Sequence, residues 1–264
     1  MNANATKRNN VRILGQGPET LLFGHGFGCD QNTWRSIFPA FEKDYRIILF
    51  DYVGAGGSDL SAYTDDRYSS LDGYAQDVID ICSELELRDI IFIGHSVSSM
   101  IGVLAIKKAP HLFKKIVFIG PSPRYMNADG YHGGIDAKDL EDLLEVMDSN
   151  YLGWSRMVAP LIMANEQSPE LANALTESFC STDPEIAKKF ARVTFMSDNR
   201  GDLSSLTLPS LTIQCQEDSL TSKEVAEYIQ QHTMNNDIVM LDSKGHCPHL
   251  SDPEGVITAI KGFI

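Results

Sequence analysis

Ser96 is the residue on which chemistry can be built. It stands in Gly94-His95-Ser96-Val97-Ser98, between the apolar run Ile90-Ile91-Phe92-Ile93 and a helical run beginning near Met100. Strand, sharp turn and helix in that order lift a hydroxyl off the end of a sheet. They set it at a helix N-terminus, where free backbone N–H groups favour developing negative charge. Such a turn needs small residues two before and two after the serine. Gly94 meets the first need; Ser98 fills the second place, where glycine is more usual.

A serine hydroxyl is a weak nucleophile until a base takes its proton. The usual base is a histidine held by a carboxylate. Asp218, in Gln216-Glu217-Asp218-Ser219, follows the apolar run Leu211-Thr212-Ile213-Gln214. His246, in Lys244-Gly245-His246-Cys247-Pro248-His249, follows Ile238-Val239-Met240-Leu241. Serine, acid and histidine therefore come in a productive chain order, each just past a strand. Glu217 is expected to be solvated rather than to replace Asp218. His249 is read as structural and His246, after a glycine in a tight loop, as the base. His246, Cys247 and His249 could also suggest a metal, but histidines three apart in a Pro-containing loop fit no ligand template, so none is expected. Acyl transfer also needs two backbone N–H donors for an oxyanion. One is Val97, next to the nucleophile. The other is Phe27 in His25-Gly26-Phe27-Gly28, with His25 read as a brace for that loop.

These residues need a parallel sheet to bring them to one edge. Val11-Arg12-Ile13-Leu14, Leu21-Leu22-Phe23, the run from Arg46 to Asp51, the run before Gly94, and Ile116-Val117-Phe118-Ile119 read as successive strands. The third does not alternate, which suggests burial on both faces. A helix is expected from about Asp30, carrying Trp34, Ile37, Phe38 and Phe41. Leu71, Tyr74, Ala75, Val78, Ile79, Cys82 and Leu85 form a continuous helical stripe. Residues 1–10 read as polar and frayed. Gly54-Ala55-Gly56-Gly57-Ser58 lacks the spacing of a nucleotide-binding loop and reads as a turn. From about residue 125 the alternation stops, and four helices follow near 137–148, 151–163, 169–180 and 184–197. Pro169 and Pro184 suit first helical positions. Alternation resumes at 211–214 and 238–241, and a final helix lies near 253–263. The expectation is an α/β core from residues 1–124 and 201–264, with residues 125–200 inserted as a helical lid.

The chain has 264 residues and a formal net charge of −14. Such a surface repels nucleic acid and anionic membranes, so neither is an expected partner. No apolar run approaches the roughly 20 residues that span a bilayer, and the first residues lack a secretory h-region. Five cysteines, odd in number and without a C-x-x-C, suit a reduced, cytoplasmic setting.

With these residues assembled, the sequence resembles the α/β-hydrolases. It is most similar to the RsbQ group, which includes the bacterial sigma-B regulator and the plant karrikin and strigolactone receptors. The resemblance is carried by Gly26-Phe27-Gly28-Cys29-Asp30-Gln31 with Trp34, Leu49-Phe50-Asp51-Tyr52-Val53-Gly54, Gly94-His95-Ser96-Val97-Ser98, Gly120-Pro121-Ser122-Pro123, Cys180-Ser181-Thr182-Asp183-Pro184 and Gly245-His246-Cys247-Pro248-His249. It implies an α/β-hydrolase fold, with a mostly parallel sheet flanked by helices and an inserted four-helix lid. It implies Ser96, Asp218 and His246 as a triad, Phe27 and Val97 as the oxyanion hole, and no cofactor. Phe195, Ser219 and Tyr125 are implied as lining an apolar pocket. Tyr151, Trp154, Phe179 and Phe190 are left as packing. The implied role is slow hydrolysis of a small hydrophobic ester or lactone-like ligand. That would serve a stress-signalling partner, a PAS-containing PP2C-type phosphatase of the sigma-B pathway. The alternative is a ligand-binding regulator whose catalysis is incidental. A dehalogenase of this fold would carry aspartate where Ser96 stands. A cofactor-free haloperoxidase would share the triad, but the match through the inserted region disfavours it.

Overall fold

The computed structural model describes residues 4–264. Seven strands form one sheet: β1 (Arg12–Leu14), β2 (Glu19–Gly24), β3 (Tyr45–Leu49), β4 (Ile90–His95), β5 (Phe113–Ile119), β6 (Ser210–Glu217) and β7 (Asn236–Lys244). Their spatial order is β1-β3-β2-β4-β5-β6-β7. Only β1 runs antiparallel; every other pairing is parallel. The carboxyl ends of β2, β4, β5, β6 and β7 therefore lie along one edge, the edge at which open α/β sheets hold their sites.

The central strands are buried on both faces, and their side chains divide by parity. Leu22, Ile48, Phe92 and Phe118 enter the core under α3 (Leu71–Glu84) and α4 (Val97–Lys108). Leu21, Phe23, Ile93, Val117 and Ile119 enter the opposite core with Trp34, Ile37 and Phe41. The expected α-helix carrying those three is instead two short 3₁₀ segments, Gln31–Trp34 and Phe38–Ala40. Pro39 has no N–H to continue an α-helix there, and the apolar spacing survives without one.

The N-terminal segment is not frayed over its described part. Ala5–Arg8 is a helical turn, α1, and Asn9 is fully buried. Arg8 bridges Asp77 and Asp80 on α3, each at 3.0 Å, and Asn9 Nδ2 donates to the Asp51 carbonyl. Arg67, near the end of the short helix α2 (Asp65–Tyr68), joins the same acidic pair. The polar composition that suggested fraying is spent on a buried ion network.

Between β5 and β6 lie four helices: α5 (Ala137–Ser149), α6 (Tyr151–Met163), α7 (Pro169–Ser181) and α8 (Pro184–Phe195). They pack on one another through Leu140, Leu144, Met147, Trp154, Ala159, Leu175 and Phe179, a third core separate from the two flanking the sheet. The chain closes with α9 (Lys223–His232), α10 (Pro248–Ser251) and α11 (Pro253–Phe263). No helix among the described residues is long and apolar enough to cross a membrane.

Candidate active site

Ser96 occupies the apex between β4 and α4 with φ 55° and ψ −122°. A side-chain-bearing residue with positive φ is strained, at a cost of about 1–3 kcal/mol. The surroundings over-determine it. Ser96 N–H donates to the Ile119 carbonyl at 2.8 Å, and the Ser96 carbonyl accepts from Ser99 N–H at 2.9 Å. Gly94 lets the helix return this closely, since a Cβ there would lie 2.7 Å from the Ser98 carbonyl. The result is a serine only 6% exposed, at the start of a helix with no side-chain cap of its own.

β6 and β7 deliver the acid and the imidazole. Glu217 pairs with Lys244 in register, so the two loops leave the sheet side by side. Gly245 turns the second loop at φ 87°, where a Cβ would meet the Met163 carbonyl at 2.0 Å. His246 N–H then donates to the Ile162 carbonyl of α6 at 2.8 Å, and the His246 carbonyl accepts from His95 Nε2–H at 2.9 Å. His246 is thus held by its backbone from both sides.

The side chains form one chain of hydrogen bonds. Ser96 Oγ lies 2.8 Å from His246 Nε2, and His246 Nδ1 lies 2.9 Å from Asp218 Oδ2. A carboxylate can only accept, so Nδ1 carries the proton and Nε2 presents its lone pair to the serine. Asp218 also accepts from Leu220 N–H at 2.8 Å, Thr221 N–H at 3.2 Å, Thr221 Oγ1 at 2.9 Å and Gln214 Nε2 at 3.1 Å. Burial alone would raise the carboxyl's pKa. The imidazole and these donors outweigh burial and hold it at about 2. The carboxylate is therefore ionised at any working pH. Glu217 is exposed and paired with Lys244 at 2.8 Å, as expected of a solvated neighbour.

Phe27 follows β2, and Val97 opens α4. Gly24 and Gly94 are partners in the sheet, which sets the two loops beside each other. The Phe27 ring packs against Trp154 (6.2 Å between centroids), Phe179 (5.6 Å), Phe190 (5.9 Å) and Phe195 (5.9 Å). These come from three of the inserted helices. Phe195 also meets Tyr125 edge-on at 5.1 Å. The Tyr125 hydroxyl lies 3.2 Å from Ser96 Oγ, whose own hydrogen goes to His246, so the phenol is the donor. Burial pushes that phenol's pKa up, and it remains neutral. Tyr125 is thus brought to the serine, with Phe195 packed against it. Ser219, expected beside the pocket, is exposed, next to Asp218, whose side chain is buried. A cavity of about 10 Å³ beside Phe27, Tyr52 and Phe190 is scarcely the size of one water. An apolar groove of about 630 Å³ lined by Val239, Ala259 and Phe263 contains none of the candidate site residues.

Sequence reasoning left Trp154, Phe179 and Phe190 as packing and gave Gln214 and Thr221 no role. The aromatic spacing was visible, but helical periodicity does not say which core a stripe faces. The metal-like composition also resolves differently. His246 is committed to Asp218 and Ser96, and the grouped side chains are His95, Cys247 and His249, whose ligand-type atoms lie within 4.8 Å of one another. They pack behind His246, with Thr33 Oγ1 2.8 Å from His249 Nε2 and the His95 and His249 rings 4.3 Å apart. Burial pushes the Cys247 thiol's pKa well up and holds His95 at about 3, so both are neutral.

Fold and site together define a hydrolase class, and comparison with known proteins agrees. Residues 19–253 match the alpha/beta hydrolase fold family. The chain belongs to that family. It is 38% identical over 253 residues to karrikin insensitive 2 receptor CA of Petunia hybrida, covering 96% of this chain and 94% of the relative. It is 36% identical over 245 residues to a strigolactone esterase of Arabidopsis thaliana, covering 92% and 91%. A solved hydrolase from Oleispira antarctica superposes with a TM-score of 0.96 at 44% identity, covering 98% of this chain and 96% of that one. Relatives spanning nearly the whole chain are thus named as esterases and hydrolases.

Proposed function

We propose that the chain hydrolyses a small hydrophobic ester or lactone-like ligand by a covalent serine mechanism. The observation that carries this reading is the unbroken chain Ser96–His246–Asp218 at 2.8 and 2.9 Å, inside an apolar aromatic enclosure. Ser96 Oγ attacks the ligand's carbonyl carbon as His246 Nε2 takes its proton. Asp218 keeps Nδ1 protonated and balances the imidazolium. The carbonyl oxygen becomes an oxyanion, bound by Phe27 N–H and Val97 N–H. His246 returns the proton to the departing oxygen, leaving an acyl-Ser96. A water then gives His246 a proton as it attacks, and the acid leaves with Ser96 restored. No step calls for a metal or organic cofactor.

Residues 125–200 act in this reading as a lid whose aromatic side chains select apolar ligands. Five unpaired cysteines suit a reducing cytoplasm. The test is intact-mass spectrometry of the wild-type protein with a serine-directed fluorophosphonate, followed by peptide mapping and an ester and lactone panel. One adduct per chain on Ser96, with turnover of apolar substrates, is the expected result. No adduct, or an adduct elsewhere, ends the reading.

The proposal extends to signalling, as a positive regulator of a PAS-containing PP2C-type phosphatase in a sigma-B stress pathway. Two observations support a regulatory role: relatives covering 95% and 96% of the chain are named receptors, and α6 exposes Leu152, Met157 and Leu161 by 52%, 49% and 62%. Such a phosphatase should be retained by the wild type and lost with Leu161→Glu, while ester turnover is kept. Retention by neither protein counts against the regulatory role and leaves the chemistry standing.

A further inference from the structure

We propose that Ser98 is a positioning residue for the oxyanion-binding N–H groups, holding the two backbone segments that carry them at a fixed separation; this rests on the hydrolase reading above. Ser98 is the residue that departs from the glycine usual at the end of the serine turn. Its hydroxyl donates to the His25 carbonyl at 2.5 Å and lies 2.8 Å from the Tyr52 hydroxyl. Serine has one hydrogen to give, so the Tyr52 hydroxyl donates to Ser98 and Ser98 to His25. Ser98, Tyr52 and His25 are all fully buried, so no solvent competes for these bonds.

The relay joins the two donor segments. Ser98 follows Val97 in the first turn of α4, and His25 stands two residues before Phe27. One hydroxyl therefore fastens the helix that carries the second donor to the loop that carries the first. The loop's next peptide is held as well. The Gly26 carbonyl accepts from His25 Nδ1–H at 2.9 Å and from Cys29 N–H at 3.2 Å. In a planar trans peptide the carbonyl and the following N–H point in opposite directions, so fixing the Gly26 oxygen aims the Phe27 N–H. His25 is kept in the tautomer this requires, because its Nε2 accepts from Tyr52 N–H at 3.1 Å. Gly24 leaves room for the relay, since a Cβ there would lie 2.9 Å from both Ser98 Oγ and the Tyr52 hydroxyl. Glycine at position 98 would satisfy the tight turn and forfeit the bond.

The experiment compares wild type with Ser98→Ala, Ser98→Thr and Tyr52→Phe. It measures kcat and KM for a fluorogenic short-chain ester. It also measures inhibition by a trifluoromethyl ketone, whose adduct with serine bears an oxyanion, and by the matching ether, which forms no adduct. Ser98→Ala is expected to lower kcat about ten- to a hundredfold, less than outright removal of an oxyanion donor. KM should stay within about twofold, because the lost interaction is made in the transition state. Ketone inhibition should weaken by a similar factor and ether inhibition should not. Ser98→Thr restores the hydroxyl and should recover most of the rate; Tyr52→Phe should fall between. Unchanged kcat in Ser98→Ala, or equal weakening of ketone and ether, overturns the proposal. If Ser98→Ala does not fold, Tyr52→Phe decides by the same ketone-to-ether comparison. Absence of fluorophosphonate labelling in the wild type would remove the hydrolase reading and this proposal together. Normal wild-type labelling with an equally fast Ser98→Ala removes this proposal alone.

Discussion

Replacing Asp218 by asparagine should lower kcat for ester hydrolysis about ten-thousandfold while leaving KM nearly unchanged. The reason lies in the donors around the carboxylate. Oδ1 accepts from the N–H groups of Leu220 and Thr221, and Oδ2 from Gln214, the Thr221 hydroxyl and His246. Every partner donates, so an amide in either orientation turns its NH₂ toward groups that are donors in the native protein. With its NH₂ toward Leu220 and Thr221, it faces two backbone donors that cannot turn away. With its NH₂ toward His246, it donates to Nδ1 and drives the proton to Nε2. An Nε2–H cannot accept from Ser96, and the base is lost although the side chains keep their places. Glu217 offers no rescue, because it is exposed and paired with Lys244. The check is kcat and KM on a fluorogenic ester, with fluorophosphonate labelling as a second readout, since both need an activated serine. A loss smaller than tenfold would show that Asp218 does not set the tautomer.

The contrast between Asp218 and Gln214 shows what the sequence made legible. Asp218 could be placed because it follows a strand, in an order shared with Ser96 and His246. Parallel strands bring their carboxyl ends to one edge whatever the loops do, so the meeting of Ser96, Asp218 and His246 at that edge follows from strand order and chain direction. Gln214 ends the run Leu211-Thr212-Ile213-Gln214 and reads there only as part of a strand. Its role depends on a turn that brings Thr221 and Asp218 back over the strand end, and no local pattern encodes that return. The same holds for Ser98, whose bond to His25 joins segments 73 residues apart. Trp154, Phe179 and Phe190 lie on helices whose existence was plain from periodicity. Which of two buried stripes meets Phe27 depends on how four helices pack, a tertiary outcome. Arg8 shows the converse error: a polar N-terminal stretch looked frayed because its partners Asp77 and Asp80 lie on a helix far along the chain.

Acidification from pH 6.5 to 4.5 should destabilise the fold by several kcal/mol, beginning well above the pH at which carboxylates ordinarily titrate. Three fully buried histidines set this. Desolvation lowers the pKa of His25 and lowers that of His249 well below its ordinary value, and it holds His95 at about 3. The hydrogen bonds agree, since each ring works as a neutral tautomer. His25 Nδ1 donates while Nε2 accepts, and His95 Nε2 donates while Nδ1 has no partner. Unfolded, each takes up a proton near pH 6.5; folded, it does not. The unfolded state therefore binds more protons in this window, and stability rises with pH through it and falls as pH drops. One such group contributes at most about 1.4 kcal/mol per pH unit. Across two units His95 alone costs about 2 kcal/mol, and His249 and His25 add to it. Urea midpoints at pH 6.5, 5.5 and 4.5 should thus move steeply downward, and a His95→Asn variant should show a slope smaller by up to one proton. A flat profile would mean that the native state takes up these protons. The effect reaches the chemistry, because His95 holds the His246 carbonyl and its ring lies 5.1 Å from the His246 ring. The packing that holds the His246 imidazole is thus built on neutral histidines, and acid acts on it directly.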